Sequence, residues 1–68
     1  MNSGTVKWFN ATKGYGFITP QGGGQDVFVH AYDVQRAGWR ELSAGQQIRF
    51  EVVPDSRAQR AATNLQVL

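Results

Sequence analysis

The chain of 68 residues has no cysteine, one histidine and five acidic residues. Without cysteine it can form neither a disulfide framework nor a cysteine-ligated zinc site. One imidazole, His30, and five carboxylates leave little from which to build another metal site or a catalytic triad. The composition therefore argues against an enzyme, and we expect neither a metal nor a cofactor.

Long hydrophobic runs are also missing from the sequence. No apolar stretch approaches the roughly 18 residues that cross a membrane as a helix, and no signal-peptide pattern precedes Gly4. We therefore expect a cytoplasmic protein that has no membrane partner. The length predicts one domain, residues 1–68, near the lower limit for folding without help.

The chain has only a small excess of positive charge, with a net charge of +2. A protein that binds a polyanion mainly through phosphate attraction would be more basic. Aromatic residues make up 12% of the chain and include two tryptophans. If the ligand is a polyanion, we expect base stacking to contribute more than charge.

The aromatic residues concentrate in two predicted strands, Tyr15–Thr19 and Asp26–His30. Successive side chains of a strand point to opposite faces, so each segment offers one aliphatic and one aromatic face. The aromatic faces carry Tyr15, Phe17, Phe28 and His30. A single aromatic residue in a strand is usually part of a core. Three aromatics and a histidine opposite three β-branched residues instead favour a ligand-binding face.

Gly14 and Gly16 flank Tyr15 in the first of these strands. Glycine inside a strand is destabilising unless something must approach the backbone closely. A flat ligand such as a nucleobase would need that access, so the glycines support a binding face.

The remaining chain predicts three more strands and their connections. The strands are Gly4–Asn10, Gln47–Val53 and Arg60–Leu68, and a frayed end is expected before Gly4. In Gly4–Asn10, simple alternation would put Trp8 on the same face as Val6, which conflicts with a division into core and ligand faces, so we expect a bulge there.

The connections contain little regular structure. The glycine run at 22–24 lacks the lysine and helix of a phosphate-binding loop and is interpreted as a hairpin. Ala31–Ala37 predicts at most one helical turn, stopped by Gly38. Trp39 begins a long loop, as either an anchor on the domain or a ligand contact, and a polar loop is expected at Asp55–Gln59. Five short strands without a long helix predict an all-β, five-stranded antiparallel barrel of the closed type.

Three sequence blocks resemble the cold-shock protein family of bacteria. They are Gly4-Thr5-Val6-Lys7-Trp8-Phe9-Asn10, Lys13-Gly14-Tyr15-Gly16-Phe17-Ile18 and Asp26-Val27-Phe28-Val29-His30. The last two correspond to the family's two ribonucleoprotein motifs, and a looser match covers nearly the whole chain. The resemblance implies a barrel of the OB type that binds single-stranded RNA and DNA, acts as an RNA chaperone and modulates transcription or translation. The larger RNA-recognition motif shares a similar signature, but it needs two helices that this sequence does not predict.

The resemblance also implies which residues bind nucleic acid. By position these are Lys7, Trp8, Lys13, Tyr15, Phe17, Phe28, His30 and Trp39. Many members carry phenylalanine directly after the histidine, where this chain has Ala31. Tyr32 follows one position later and is included as a candidate, although a shift of one residue can turn a side chain away. Gln59-Arg60 also replaces a Gly-Pro of many members, which affects the geometry of the last loop.

A protein-interaction module is the alternative from a different functional class. A small barrel with an exposed aromatic groove could dock a proline-rich peptide, but lysines beside glycine-flanked aromatics favour bases. We expect a monomer that has no small-molecule substrate.

Overall fold

The computed structural model describes residues 2–55 and 58–67. Within these ranges the chain forms five strands and one short helix. They are β1 (Asn2–Asn10), β2 (Tyr15–Pro20), β3 (Val27–His30), α1 (Ala31–Arg36), β4 (Gln47–Asp55) and β5 (Ala58–Val67). The strands close into a barrel in the order β1-β2-β3-β5-β4. The prediction of a five-stranded, OB-type barrel is confirmed.

One pair of adjacent strands in the barrel differs from the prediction. β1 pairs antiparallel with β2 and β4, β2 with β3, and β4 with β5, but β3 and β5 run parallel, with Phe28 opposite Ala61. The expectation of a wholly antiparallel barrel was wrong at this point. In a closed ring, an odd number of strands cannot reverse direction at every pair, so one pair must be parallel.

β1 contains the bulge that its sequence predicted. Val6 lies opposite Ile18 and Trp8 lies opposite Phe17, so Lys7 is an extra residue in the ladder. The extra residue reverses the alternation, and Val6 is buried whereas Trp8 is 38% exposed. Because of the bulge, residues of the same parity in β1 point to different faces. Val6, before the bulge, faces the core, and Trp8, after it, faces the outer surface.

The start of β1 is ordered further back than the sequence predicted. Asn2 pairs with Phe50 and Ser3 with Arg49, so the expectation of a frayed end before Gly4 was wrong for these two residues. Their side chains carry no strand signal. They join the ladder because β4 runs alongside them when the barrel closes.

The core comes from the aliphatic faces of the strands. Val27 and Val29 of β3 are fully buried, as are Ile48 and Phe50 of β4. Val52 shares their face of β4 by alternation but is only partly buried against this core. The other core members are Val6, Ile18, Val34, Leu42, Ala62 and Leu65.

The helix and the last two strands are longer than predicted. α1 has six residues because Val34 is buried in the core, and Gly38 follows it with a φ of +94°, as expected of a helix stop. β4 continues through Pro54, which lies at an irregularity in the β4–β5 pairing where proline is tolerated. Of the loop expected at Asp55–Gln59, Asp55 and Ala58 are paired, and Ser56 and Arg57 lie outside the described residues.

Candidate nucleic-acid interface

Five rings from three neighbouring strands form one contiguous patch, here called the ring cluster. Its members are Trp8, Tyr15, Phe17, Phe28 and His30. Ring centroids are separated by 5.4 Å between Trp8 and Phe17, 5.7 Å between Tyr15 and Phe28, and 6.3 Å between Phe28 and His30. These spacings are typical of interacting aromatic rings. The structure therefore brings together five of the predicted site residues.

Strand pairing explains why the rings meet. β2 and β3 place Tyr15 opposite His30 and Phe17 opposite Phe28, so two aromatic rows lie side by side. The Tyr15 and Phe28 rings are diagonal neighbours and stack with an interplanar angle of 22°. The aliphatic residues between them point into the core. The alternation predicted for these two strands is confirmed.

Trp8 joins the cluster through the bulge in β1. It packs edge-on against both Tyr15 and Phe17, with centroids 5.5 and 5.4 Å away. Without the extra residue at Lys7, Trp8 would share the inward face of Val6. Phe9 is half-buried and packs against the core.

Gly16 has a different role from the one its sequence context indicated. It is buried, and a Cβ at this position would lie 2.7 Å from Cα of Phe9 and close to the carbonyl oxygen of Trp8. The missing side chain lets the bulged backbone of β1 approach β2. The interpretation that Gly16 opens the backbone to a ligand was therefore wrong.

Gly14 serves the turn between β1 and β2. Its φ is +83°, a conformation that favours glycine, and its N–H donates to the carbonyl oxygen of Asn10 at 2.8 Å. Its own carbonyl oxygen accepts from the N–H of Ala31 at 2.9 Å. Gly14 therefore ties the β1–β2 turn to the end of β3.

The two candidate lysines differ in their surroundings. Lys7 Nζ lies 3.0 Å from a carboxylate oxygen of Asp26, and the two side chains are 56% and 33% exposed. Asp26 also accepts from Thr19 Oγ1 at 3.5 Å. Lys13 is exposed, and its backbone N–H donates to Asn10 Oδ1 at 2.9 Å. The sequence analysis missed Asp26, because nothing local relates residues 7 and 26.

His30 connects the ring cluster to the helix. As N-cap of α1, its Nδ1 accepts a hydrogen bond from the backbone N–H of Tyr32 at 3.1 Å. Because Nδ1 is the acceptor, the neutral imidazole carries its proton on Nε2. Nε2 is thus available as a donor in this tautomer, while Nδ1 holds the helix start.

Tyr32 and Trp39 lie apart from the ring contacts of the cluster. Tyr32 is 60% exposed on α1, with the guanidinium of Arg36 over its ring at 5.7 Å. Trp39 is half-buried against the core, and its backbone N–H donates to the carbonyl oxygen of Val34 at 3.1 Å. Of the two roles that the sequence left open for Trp39, this packing favours the anchor.

The ring cluster lines neither of two clefts that the described residues form. One cleft is formed by α1, β4 and β5, between Asp33, Arg36 and Asn64. Another lies at one end of β1 and β2, beside Ser3 and Pro20. A patch of rings outside these clefts suits the faces of bases better than it suits a compact small molecule.

Residues 2–55 and 58–67 contain neither a cluster suited to a metal ion nor a helix suited to a membrane. No three histidine or acidic side chains in these ranges come together where they could hold a metal ion. The only helix there, α1, is far too short to cross a membrane.

Comparison with known proteins identifies the family. The family model described as the 'Cold-shock' DNA-binding domain matches residues 2–68. This chain belongs to the cold-shock domain family. The match includes all three strands that carry the ring cluster, so the cluster is part of the cold-shock domain and not an addition to it.

Curated relatives agree with this assignment over nearly the full chain. The probable cold shock protein y4cH of Sinorhizobium fredii is 58% identical over 67 residues, which are 97% of each chain. The cold shock protein CspA of Rhizobium meliloti is 53% identical over 64 residues, 94% of this chain and 93% of that protein. A cold shock-like protein of Aquifex aeolicus is 51% identical over 65 residues, 96% of this chain and 91% of that one. The family is a nucleic-acid-binding family, and the surface ring cluster of this cold-shock domain fits that function.

Proposed function

We propose that this cold-shock domain binds single-stranded RNA and DNA by stacking bases on the ring cluster. The observation that carries the proposal is the continuity of the five rings across β1, β2 and β3, outside the core. Each base presents a π-face, so stacking is tolerant of sequence. A base inside a duplex already stacks on its neighbours and does not present that face. Single strands are therefore the favoured partner.

We further propose that the protein is an ATP-independent RNA chaperone. Stacking on an aromatic side chain is worth roughly 1–3 kcal/mol per base, and a duplex stacking step is worth about 1.4 kcal/mol in DNA. A protein that captures bases when they open can therefore shift weak hairpins toward the open state. Stable duplexes resist it, because several steps must open together. Through such changes the protein modulates transcription or translation.

The proposed charge contribution is small. Lys7 and Lys13 stand beside the ring cluster as candidate phosphate contacts, but Lys7 is paired with Asp26 in the unbound protein. A phosphate must compete with that carboxylate for the ammonium group. We therefore propose that stacking supplies most of the affinity and that salt weakens binding only moderately.

The remaining parts of the proposal concern the protein as a whole. It acts as a single domain and a monomer in the cytoplasm, where its nucleic-acid partners are. It is a binding protein with no small-molecule substrate, because base stacking requires no catalytic group. One copy of the domain carries all five rings, so binding of a short strand requires no second copy.

The test is a titration of the full chain with oligo-thymidine, followed by tryptophan fluorescence, with a matched duplex as the control. Trp8 belongs to the ring cluster and is 38% exposed, so a stacked base will quench its emission. We expect saturable quenching by the single strand, a weak response to the duplex and a shallow salt dependence. An absence of any response to single-stranded DNA and RNA contradicts the proposal. In that case, binding of a proline-rich peptide to the same rings becomes the next function to test.

A further inference from the structure

We propose that α1 carries an additional stacking subsite, formed by Tyr32 and Arg36, that takes one nucleotide beyond the His30 end of the ring cluster. The inference rests on the proposed function, because it extends the same nucleic-acid path. It concerns a surface that the five-ring patch does not include. The ligand is a nucleotide of a single strand, with its base on Tyr32 and its phosphate near Arg36.

The first observation is the exposure of Tyr32. Its side chain is 60% exposed, whereas the exposed member of the ring cluster, Trp8, is at 38%. Tyr32 lies on a helix whose buried residue is Val34, so its ring does not serve the core. An exposed ring of this kind offers a stacking surface at little cost in conformational entropy, because only two side-chain torsions must be held.

The second observation is the partner of that ring. The guanidinium carbon of Arg36 lies 5.7 Å from the centroid of Tyr32, one helical turn further along α1. This cation–π contact restrains both side chains before a ligand arrives. Arginine also suits phosphate, because its planar group donates two parallel hydrogen bonds. The pair therefore combines the two chemical groups that a single-stranded nucleotide requires.

The third observation places the pair next to the ring cluster. The Tyr32 backbone N–H donates to His30 Nδ1 at 3.1 Å, and the His30 ring lies 6.3 Å from that of Phe28. The start of α1 is thus attached to the last ring of the cluster. Only Ala31 separates His30 from Tyr32 in the chain, so we expect a nucleic-acid strand that continues past His30 to meet Tyr32 next.

Two acidic residues, Asp33 and Glu51, line the same cleft as Arg36. Asp33 Oδ1 accepts from Thr63 Oγ1 at 3.0 Å, so this carboxylate is directed to β5. Glu51 accepts a hydrogen bond from the side-chain amide of Asn64, also on β5. Both carboxylates keep their charge when they accept from these neutral donors, so we expect a phosphate to meet Arg36 on the side of Tyr32 and not inside this cleft.

Ala31 and Tyr32 lie on different sides of α1. Ala31 is half-buried beside Gly14, and its N–H donates to the Gly14 carbonyl oxygen at 2.9 Å. A Cβ on Gly14 would lie 3.8 Å from the Ala31 methyl group, so this position faces the β1–β2 turn. The ring one position later is instead on the open side of α1. Tyr32 therefore supplies a subsite at the end of the cluster and does not add a sixth ring to it.

The test measures how affinity depends on oligonucleotide length. Oligo-thymidines from about four to about twelve nucleotides, the range of site sizes for OB folds, are titrated into the full-length parent, Tyr32→Ala, Tyr32→Phe and Gln35→Ala. Trp8 fluorescence reports binding in each case. Gln35 is an exposed residue of the same helix and serves as the matched control. Urea unfolding of each variant verifies that the barrel is intact.

We expect Tyr32→Ala to bind the shortest oligonucleotides as the parent does and to lose about fivefold to 150-fold in affinity for the longer ones. The affinity of Tyr32→Ala should reach its maximum at an oligonucleotide about one nucleotide shorter than the one at which the parent reaches its own. Tyr32→Phe and Gln35→Ala should follow the parent. An unchanged length dependence in Tyr32→Ala overturns the subsite while leaving the ring cluster intact. Failure of the parent to bind any oligonucleotide overturns the proposed function, and the subsite with it.

Discussion

Gly16 lies so close to the bulged backbone of β1 that a Cβ there would be 2.7 Å from Cα of Phe9. This contact joins Gly16 of β2 to Phe9, its partner in β1, which lies two positions after the extra residue Lys7. The position of Trp8 in the ring cluster depends on both. The sequence suggested that Gly16 gives a ligand access to the backbone. In the structure Gly16 instead allows β1 and β2 to pack closely.

The first prediction concerns the stability of this contact. Gly16→Ala should lower the free energy of unfolding by about 3 kcal/mol, because the atoms that meet the new methyl group belong to backbone and cannot rotate away. Gly22→Ala is the control. It has a φ of +89° but open space around it, so its cost should be only about 1 kcal/mol. Urea unfolding measures both, and equal losses would contradict the packing role of Gly16.

The second prediction concerns the ring cluster. Phe17→Ala should weaken binding to a single strand by about fivefold to 150-fold, because it removes one stacking platform and an edge contact with Trp8. Val53→Ala, an exposed apolar substitution on β4, should leave the affinity unchanged. Fluorescence titration gives the affinities and circular dichroism verifies the fold. If folded Phe17→Ala binds as tightly as the parent, stacking on this ring is not part of binding.

The third prediction concerns Lys7 and its ion pair. Lys7→Ala should change the free energy of unfolding by less than about 1 kcal/mol, because the pair with Asp26 is largely exposed. If Lys7 leaves Asp26 to contact a phosphate, the slope of log K against log salt should decrease in magnitude by about 0.7 for a single strand.

Arg49→Ala is the matched control for this measurement, since Arg49 is an exposed cation on β4. Its salt slope should equal that of the parent. A Lys7→Ala slope that also equals the parent value would show that Lys7 makes no phosphate contact.

The fourth prediction separates the two roles of His30. His30→Ala removes the acceptor for the Tyr32 N–H and should destabilise the protein by about 1 kcal/mol. His30→Asn replaces it with a side chain that caps helices well, so stability should recover while single-strand affinity stays low. Thermal unfolding and titration measure the two effects. Recovery of both in His30→Asn would show that the imidazole ring contributes only the cap.

The sequence predicted the parts of the site that follow from local periodicity. Side chains alternate along a strand, so one face of β2 and β3 carries Tyr15, Phe17, Phe28 and His30. The β-branched residues that alternate with them point to the opposite face and are buried in the core. The bulge in β1 was predicted for a similar reason, since Trp8 and Val6 could not share a face. Tyr32 was already a candidate, but its contact with Arg36 could not be predicted, because α1 was expected to be no more than one turn.

By itself, the sequence determined the strands, the aromatic face, the closed five-stranded barrel and membership of the cold-shock domain family, because these follow from short-range patterns and motifs. Only the tertiary structure decided the parallel β3–β5 seam, the pairing of Asn2 and Ser3 with β4, and the Lys7–Asp26 ion pair between residues 19 positions apart. It also decided that Gly16 makes room for β1. Each of these depends on which strand lies beside which when the ring closes, and that order is set by packing among distant segments.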